Sequence, residues 1–238
     1  MANPTIVLVH GAFADASSFR GLHNALLSED VTILAPPNPL RGLSGGDSAY
    51  LKSVIAEIDG PVLLVGHSYG GSVITAAGTA GNVVGLVYIS GFAPDQGENL
   101  TDLQSNFSPP GIIPYIIQHD LPDGAKEFTL APNGFHASFC ADIPAADAAF
   151  YAISQRPLAG VALTEAAPTP AWRSRPVWAV LPTADRCIDP GVHRFSYARM
   201  GATVTEIAGA SHVVMISHPK EVAEVVMTAV RACAMQPA

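Results

Sequence analysis

The chain of 238 residues carries 12 basic and 20 acidic side chains, which gives a formal net charge of −8. This negative charge disfavours nucleic acid and anionic membrane surfaces, so neither is expected as a partner. Apolar residues make up 49% of the chain and charged residues 13%, a composition typical of one globular domain. The three widely spaced cysteines show neither zinc-site nor disulfide spacing, so we expect no metal and no cofactor.

The first residues lack the features of a targeting segment. Met1 to Pro4 include no basic flank, and the apolar stretch after them is too short for a signal peptide or a membrane span. We therefore expect a cytoplasmic protein. Composition does not decide the oligomeric state, and a homodimer is left open.

Apolar, β-branched runs alternate with helix-like stretches along most of the chain. Continuous apolar runs are typical of parallel strands that helices cover on both faces. The predicted strands are Thr5–Val9, Val31–Ala35, Val62–Val65, Val83–Ser90, Val177–Leu181 and Thr203–Ile207. The predicted helices are Ser17–Leu27, about Asp47–Ile58 with Asp47 as its N-cap, Ser72–Ala80, and about Pro219–Cys233.

The alternation stops between about Asp95 and Pro176, in a stretch rich in proline and glycine. Long insertions in compact sheet proteins are usually functional lids. We therefore predict an α/β fold with a doubly wound, mostly parallel sheet, in which residues 1–94 and 177–238 form the core. Residues 95–176 are predicted to form a helical cap, with a main helix at Pro144–Arg156, inserted after the fourth strand and covering the carboxyl ends of the strands.

The most informative motif is Gly66-His67-Ser68-Tyr69-Gly70, which has the pattern Gly-x-Ser-x-Gly between a predicted strand and a predicted helix. A serine on such a sharp turn projects its hydroxyl group out of the sheet, and glycines two positions away on each side avoid steric clashes. The helix amino-terminus also favours negative charge beside the serine. We interpret Ser68 as a nucleophile.

A serine nucleophile needs a base and an acid. The base is predicted to be His212, on the loop after the last strand, because loops at strand carboxyl ends converge on one crevice. The acid is predicted to be Asp185, which follows the preceding strand and completes the order serine, aspartate, histidine. Asp189, a candidate helix cap, and Asp95 remain the alternatives for the acid.

The other histidines have weaker contexts. His218 is the nearest competitor of His212, but it precedes Pro219 and is typical of a helix entry. His10 and His67, at strand ends, are expected to make structural hydrogen bonds. His23 is typical of a helix surface, whereas His119, His136 and His193 lack a supporting context.

An oxyanion hole requires two backbone N–H groups that point at the reacting carbonyl oxygen. The glycine-containing turn His10-Gly11-Ala12-Phe13 follows the first strand. The N–H of Ala12 can therefore join the N–H of Tyr69, the residue after the nucleophile. The alternative is that residues 10–13 form a simple strand-to-helix turn.

Four motifs together resemble the α/β-hydrolase fold superfamily over nearly the whole chain: Val7–Phe13, Val65–Gly71, Pro182–Arg186 and Gly209–His212. Within it, the chain is similar to small esterases related to plant methyl-ester hydrolases and hydroxynitrile lyases. The resemblance implies a triad of Ser68, Asp185 and His212 with an oxyanion hole at Ala12 and Tyr69. The lyases of that group carry threonine and lysine where this chain has Gly11 and Val213, which favours ester hydrolysis here.

The predicted reaction is acyl transfer from a small, fairly apolar ester or lactone to Ser68, followed by hydrolysis. A non-catalytic ligand receptor on the same fold is one alternative. Others are C–C or amide hydrolysis, perhydrolysis, or hydroxynitrile cleavage as the least favoured. The candidate pocket residues are Phe13, Phe107, Ile113, Tyr115, Phe135 and Phe139, each of which could instead pack the cap onto the sheet.

Overall fold

The computed structural model describes residues 3–235, so residues 1–2 and 236–238 of the predicted core lie outside the described residues. A large parallel sheet and a small antiparallel sheet organise the chain. The strands are β1 (Thr5–Val9), β2 (Ile33–Leu34), β3 (Val62–His67), β4 (Val83–Ile89), β5 (Ile116–Asp120), β6 (Lys126–Leu130), β7 (Leu158–Ala159), β8 (Val177–Pro182) and β9 (Thr203–Ile207).

The large sheet has the strand order β2-β1-β3-β4-β8-β9, and all neighbouring strands are parallel. The chain moves outward from β1 to β2 and then returns to the other side of β1 as β3. This reversal creates a crevice between the carboxyl ends of β1 and β3, where parallel α/β sheets bind their ligands. The predicted α/β class with a doubly wound, mostly parallel sheet is confirmed.

Helices flank this sheet. Contacts join α1 to α10 and α2 to α3, and α10 also contacts β3, β4 and β8. Among residues 3–235, no helix combines the length and apolar character needed to cross a membrane. The helices are α1 (Arg20–Leu26), α2 (Ser48–Ala56), α3 (Tyr69–Ala77), α4 (Leu100–Ser105), α5 (Pro132–Phe139), α6 (Ala145–Ser154), α7 (Val161–Thr164), α8 (Pro190–Met200), α9 (Val214–Ser217) and α10 (Pro219–Ala234).

The second predicted strand is much shorter than Val31–Ala35, because only Ile33–Leu34 pairs with β1. This strand lies at the edge of the sheet and has a partner on one side only. Pro36 and Pro37 follow after a single residue, Ala35, and proline cannot donate a hydrogen bond to a strand ladder.

The prediction that Asp47 caps the second helix is wrong. Asp47 has helical backbone angles and ends a π-helical turn, Leu43–Asp47, which continues directly into α2. Its buried carboxylate instead accepts hydrogen bonds from the Arg41 N–H at 2.9 Å and the Tyr69 hydroxyl at 2.7 Å. Asp47 therefore supports the first residue of α3 and does not cap its own helix.

The segment between β4 and β8 contains α4, α5, α6 and α7, but it also holds the antiparallel sheet β5-β6-β7, which the sequence analysis did not predict. The hairpin between β5 and β6 is closed by a turn in which the Gly124 N–H donates to the carbonyl of Leu121 at 2.9 Å. Gly124 has φ +83°, a conformation that glycine adopts without strain. Pro122-Asp123-Gly124 was the sequence signal for this hairpin.

Candidate active site

Ser68 lies on a tight turn between β3 and α3. Its φ of 54° and ψ of −123° fall in a region that non-glycine residues rarely adopt. A Cβ atom on Gly66 would lie 2.6 Å from the Gly70 oxygen, and one on Gly70 would lie 2.2 Å from the Val9 oxygen. Glycines are therefore required on both sides of this serine, as the sequence analysis predicted.

The turn after β1 packs directly against Ser68. A Cβ atom on Gly11 would lie 2.5 Å from the Ser68 Cβ, so position 11 has no room for a side chain. His10 fixes this turn because its Nε2 accepts the Asn38 N–H at 3.0 Å, which leaves Nδ1–H to donate to the Gly11 carbonyl at 2.9 Å. The structural role predicted for His10 is confirmed.

The two backbone N–H groups that the sequence analysis assigned to an oxyanion hole belong to Ala12 and Tyr69. Both residues line the same cavity as Ser68. Within residues 3–235, neither N–H group donates to a protein acceptor. For Tyr69 the reason is its place at the start of α3, where the first N–H groups have no partner in the helix.

His212 and Asp185 form a buried hydrogen-bonded pair. The Nδ1 atom of His212 lies 2.7 Å from Oδ2 of Asp185, and both side chains are fully buried. Because a carboxylate only accepts, Nδ1 carries a proton, so in the neutral ring Nε2 has the lone pair. The His212 Nε2 atom is buried and has no hydrogen-bond partner among the described residues. This is the tautomer that a general base requires.

His67 connects the His212 loop to the Ser68 turn. Its Nε2–H donates to the His212 carbonyl at 3.1 Å, and the centroids of the two rings lie 4.8 Å apart. The structural role predicted for His67 is confirmed. Within residues 3–235 no hydrogen bond joins the Ser68 Oγ to His212, and such contacts often tighten only when substrate binds.

The charges of the pair are set by burial and by mutual attraction. Burial opposes ionisation of Asp185. The charge of His212, together with the hydrogen bonds that the Asp185 carboxylate accepts, nevertheless holds the pKa of Asp185 well below that of an ordinary carboxyl. Burial likewise opposes the charged form of His212, but Asp185 outweighs this effect and raises the pKa of His212. Burial, followed by the nearby His212, lowers the pKa of His67, so His67 stays neutral.

The alternative acids and base have other contacts. Asp189 caps α8 by accepting the Gly191 N–H at 2.6 Å, which confirms its predicted cap role. Asp95 forms an ion pair with Arg173 at 2.6 Å. His218 makes no capping bond and instead contacts the Ser217 hydroxyl at 2.9 Å.

A cavity of about 430 Å³ opens beside Ser68, and no charged side chain lines it. Three of the predicted pocket residues, Phe13, Phe107 and Ile113, belong to its wall. Most of the other wall residues were not predicted, because many come from separate short elements of the cap. These are Phe92, Leu100, Thr101, Gln104, Ser105, Pro109, Pro110, Ile112, Ile116, Phe128, Leu158, Leu163, Cys187 and Ile188.

The other three predicted pocket residues, Tyr115, Phe135 and Phe139, lie outside this wall. Tyr115 occupies the space beside Gly134 of α5, where a Cβ atom would lie 2.0 Å from its ring. Phe135 and Phe139 are fully buried, and the Phe139 ring lies 5.0 Å from that of His212. For these three residues the structure favours the packing alternative.

Two polar residues beside the pair were missed. His193 of α8 places its Nε2 atom 3.1 Å from Oδ2 of Asp185, although no sequence context singled it out. Asp142 of the cap accepts hydrogen bonds from the N–H (2.8 Å) and the hydroxyl group of Ser211, the residue before His212. The only available signal for His193 was its place in the first turns of the helix that follows Asp185.

Among residues 3–235, no group of three or more His, Cys, Asp or Glu residues could hold a metal ion.

Comparisons with known proteins show the family and the fold of the chain. The model of a family described as alpha/beta hydrolase matches residues 6–225. A carbendazim hydrolyzing esterase from Nocardioides sp. (strain SG-4G) is 34% identical over 130 residues, which are 49% of this chain and 53% of that protein. The chain thus spans about half the length of the curated relative it matches.

Solved structures share the fold over almost the whole chain. Polyneuridine aldehyde esterase superposes with a TM-score of 0.80 at 20% identity, covering 96% of this chain and 99% of that one. A pyrethroid hydrolase from Sphingobium faniae JZ-2 superposes with a TM-score of 0.76 at 18% identity, covering 98% of this chain and 99% of that one. At these identities the likeness shows the fold alone.

Proposed function

Since the chain belongs to the alpha/beta hydrolase family, we propose that it is a serine hydrolase that cleaves small, uncharged, fairly apolar carboxylic esters or lactones. The observation that carries the proposal is the apolar cavity whose wall includes Ser68, next to the buried pair in which His212 Nε2 has no hydrogen-bond partner among the described residues. Relatives described as esterases and hydrolases support the same class of reaction.

The mechanism begins with attack of Ser68 Oγ on the substrate carbonyl carbon. His212 Nε2 takes the hydroxyl proton, while Asp185 holds the imidazole in place and stabilises its cation. The N–H groups of Ala12 and Tyr69 bind the oxyanion, and one such donor contributes about 3–4 kcal/mol of transition-state stabilisation. The C–O bond to the leaving group then breaks as His212 returns the proton to that oxygen.

The acyl-enzyme is cleared by the reverse sequence. His212 removes a proton from a water molecule, which attacks the acyl carbon. The bond to Ser68 Oγ breaks, and His212 returns the proton to the serine, so that the carboxylic acid leaves and the enzyme is restored. His212 Nε2 thus takes up and returns a proton in both halves.

Two positions favour hydrolysis over hydroxynitrile cleavage. A threonine at position 11 would collide with Ser68, since even a Cβ atom there would lie 2.5 Å from the Ser68 Cβ. Val213 is buried and apolar, so this position supplies no cation for a cyanide leaving group. The chain therefore lacks both the threonine and the lysine that the related hydroxynitrile lyases carry at these positions.

The test combines a fluorophosphonate probe with p-nitrophenyl esters of graded acyl length. Ser68→Ala should abolish labelling and lower kcat by about 10⁶-fold. Ser90→Ala is the matched control, because Ser90 is also a buried serine with positive φ, at the end of the neighbouring strand, and lies outside the cavity wall. Absence of labelling and of turnover in the natural chain would instead favour a non-catalytic ligand receptor.

Acyl length should matter because the cavity wall is apolar. Each added methylene group that becomes buried is worth about 0.8 kcal/mol, so kcat/KM should rise by up to about fourfold per methylene until the cavity is filled. Esters with a charged acyl chain should be poor substrates. A better rate with the charged esters would contradict the proposed substrate class.

A further inference from the structure

Oδ2 of Asp185 is shared by two imidazole rings. His212 Nδ1 lies 2.7 Å from this oxygen and His193 Nε2 lies 3.1 Å from it. The other oxygen, Oδ1, accepts the N–H groups of Cys187 at 2.8 Å and Ile188 at 3.0 Å. Asp185 thus receives two backbone N–H groups and two imidazole rings, and of the two rings the mechanism above uses only that of His212.

His193 is held in one tautomer. Its side chain is fully buried, and its Nε2 faces a carboxylate oxygen, which only accepts, so Nε2 carries a proton. Its Nδ1 atom is buried without a hydrogen-bond partner among the described residues. A proton on Nδ1 would leave a buried N–H group unpaired, which is unfavourable. The neutral ring of His193 is therefore the Nε2–H tautomer.

The ring of His193 is also held in orientation. It stacks on Tyr197, one turn later in α8, with ring centroids 5.5 Å apart and an interplanar angle of 23°. The Tyr197 hydroxyl accepts the Gly91 N–H at 2.9 Å and donates to the Gly91 carbonyl at 3.0 Å. The donor that faces Asp185 is thus anchored to the loop after β4.

We propose that His193 is a positioning residue, which shares Oδ2 of Asp185 with His212 and so limits how firmly the carboxylate holds the His212 proton. A hydrogen bond from a neutral donor stabilises a carboxylate and makes it a weaker partner for a second proton. A buried aspartate bound to His212 alone would favour the imidazolium form, which cannot act as a base. The expected effect on the rate rests on the proposed function, whereas the expected effect on the titration of His212 does not.

Other titratable groups face this cluster from several elements. They are His67 at the end of β3, Cys187 on the loop of Asp185, Tyr197 of α8, and Asp142 of the cap through Ser211. A substitution at position 193 replaces none of these residues. A shift in the titration of His212 in a variant at position 193 can therefore be assigned to the lost donor.

The test compares His193→Leu, which removes the donor, with His193→Gln, which retains an N–H donor of similar reach. NMR of ¹⁵N-labelled histidine follows the titration of His212 without any need for turnover. In His193→Leu we expect the His212 titration to move to higher pH by about half a unit or more. The acid limb of kcat/KM should move with it, so that the rate at pH 7 falls by about three- to tenfold while KM changes less than twofold.

KM should stay nearly constant because His193 lies outside the cavity wall. His193→Gln should restore the titration and the rate, and His23→Leu, on the exposed surface of α1, serves as the control for loss of a histidine. A titration that stays in place or moves to lower pH in His193→Leu would overturn the proposal, even if the melting temperature falls. A His193→Gln variant as impaired as His193→Leu would also overturn it.

The proposed hydrolase function and the positioning role of His193 would be contradicted by different results. If the natural chain neither reacts with the fluorophosphonate nor cleaves any ester, the proposed function fails, and the NMR titration still decides the role of His193. If esters are cleaved and the titration is unchanged by His193→Leu, only the role of His193 fails.

Discussion

The carboxyl edge of the sheet and the cap are built in different ways. At the sheet edge, Ser68, Asp185 and His212 stand on loops held by buried hydrogen bonds and by backbone contacts too close for a side chain. The cap surrounds the cavity with apolar side chains from separate short elements, and its β5 is exposed along its whole length. We infer that the reaction chemistry resides in the rigid edge, whereas the cap selects the substrate.

After the loss of Ser68 itself, the largest effect should come from the acid of the sheet edge. Asp185→Asn should lower kcat by about 10⁴-fold, because the amide would no longer stabilise the imidazolium or select its tautomer. Asp189→Asn is the control, since Asp189 is four residues away and only caps α8. Steady-state kinetics with a p-nitrophenyl ester measure both. Equal losses in the two variants would contradict the assignment of Asp185.

The rigidity of the sheet edge can be tested at Gly70. Gly70→Ala would place a Cβ atom 2.2 Å from the Val9 oxygen, so the free energy of unfolding should fall by about 3 kcal/mol. Gly81→Ala is the control, because no atom lies within 4 Å of its Cβ position. Urea denaturation compares the two. A Gly70→Ala variant as stable as the control would mean that the edge tolerates movement.

The role of the cap in substrate selection can be tested at Leu163, a residue of α7 in the cap that lines the cavity. Leu163→Ala should raise KM for esters that fill the cavity by about tenfold and leave kcat nearly unchanged, because an apolar contact is lost in substrate and transition state alike. Ile153→Ala removes a side chain of equal size from the cap surface, where Ile153 is 77% exposed. A change in kcat with unchanged KM would contradict the division of roles.

The smallest expected effect concerns the hydrogen bonds between Asp142 of the cap and Ser211 of the sheet edge. Asp142 of the cap is partly buried, which opposes its ionisation, but the hydrogen bonds from Ser211 hold the pKa of Asp142 below that of an ordinary carboxyl. Its contribution to stability is therefore present above the pKa of an unfolded aspartate and is lost as the pH falls through the lower folded value.

Asp142→Asn should remove this acid-dependent loss and lower the free energy of unfolding near pH 7 by less than about 1 kcal/mol, since the carboxylate is partly exposed. Urea denaturation at several pH values measures the free energy of unfolding. Asp147→Asn, at an exposed position of α6, is the control. If both variants keep the pH dependence of the natural chain, the link through Ser211 does not affect stability.

The core was predictable wherever a local pattern matched a buried element. β1 and β9 have the bounds expected from their apolar runs, and the turn of Ser68 follows from glycines whose absence would cause clashes. Asp47 was misassigned because an aspartate before a helix resembles an N-cap, whereas its carboxylate contacts Arg41 and Tyr69. The partner of a side chain distant in sequence cannot be derived from its neighbours along the chain.

Local patterns were enough to predict the fold class, the strand-turn-helix at Ser68, and the candidate residues Asp185 and His212, because strand periodicity and glycine sterics act over a few residues. The packing of the cap on the sheet was needed to show that Phe107 and Ile113 line the cavity while Phe135 and Phe139 are packed away from it. The tertiary fold also placed His193 on Asp185. Those outcomes depend on how distant segments meet, and burial then selects which polar atoms pair.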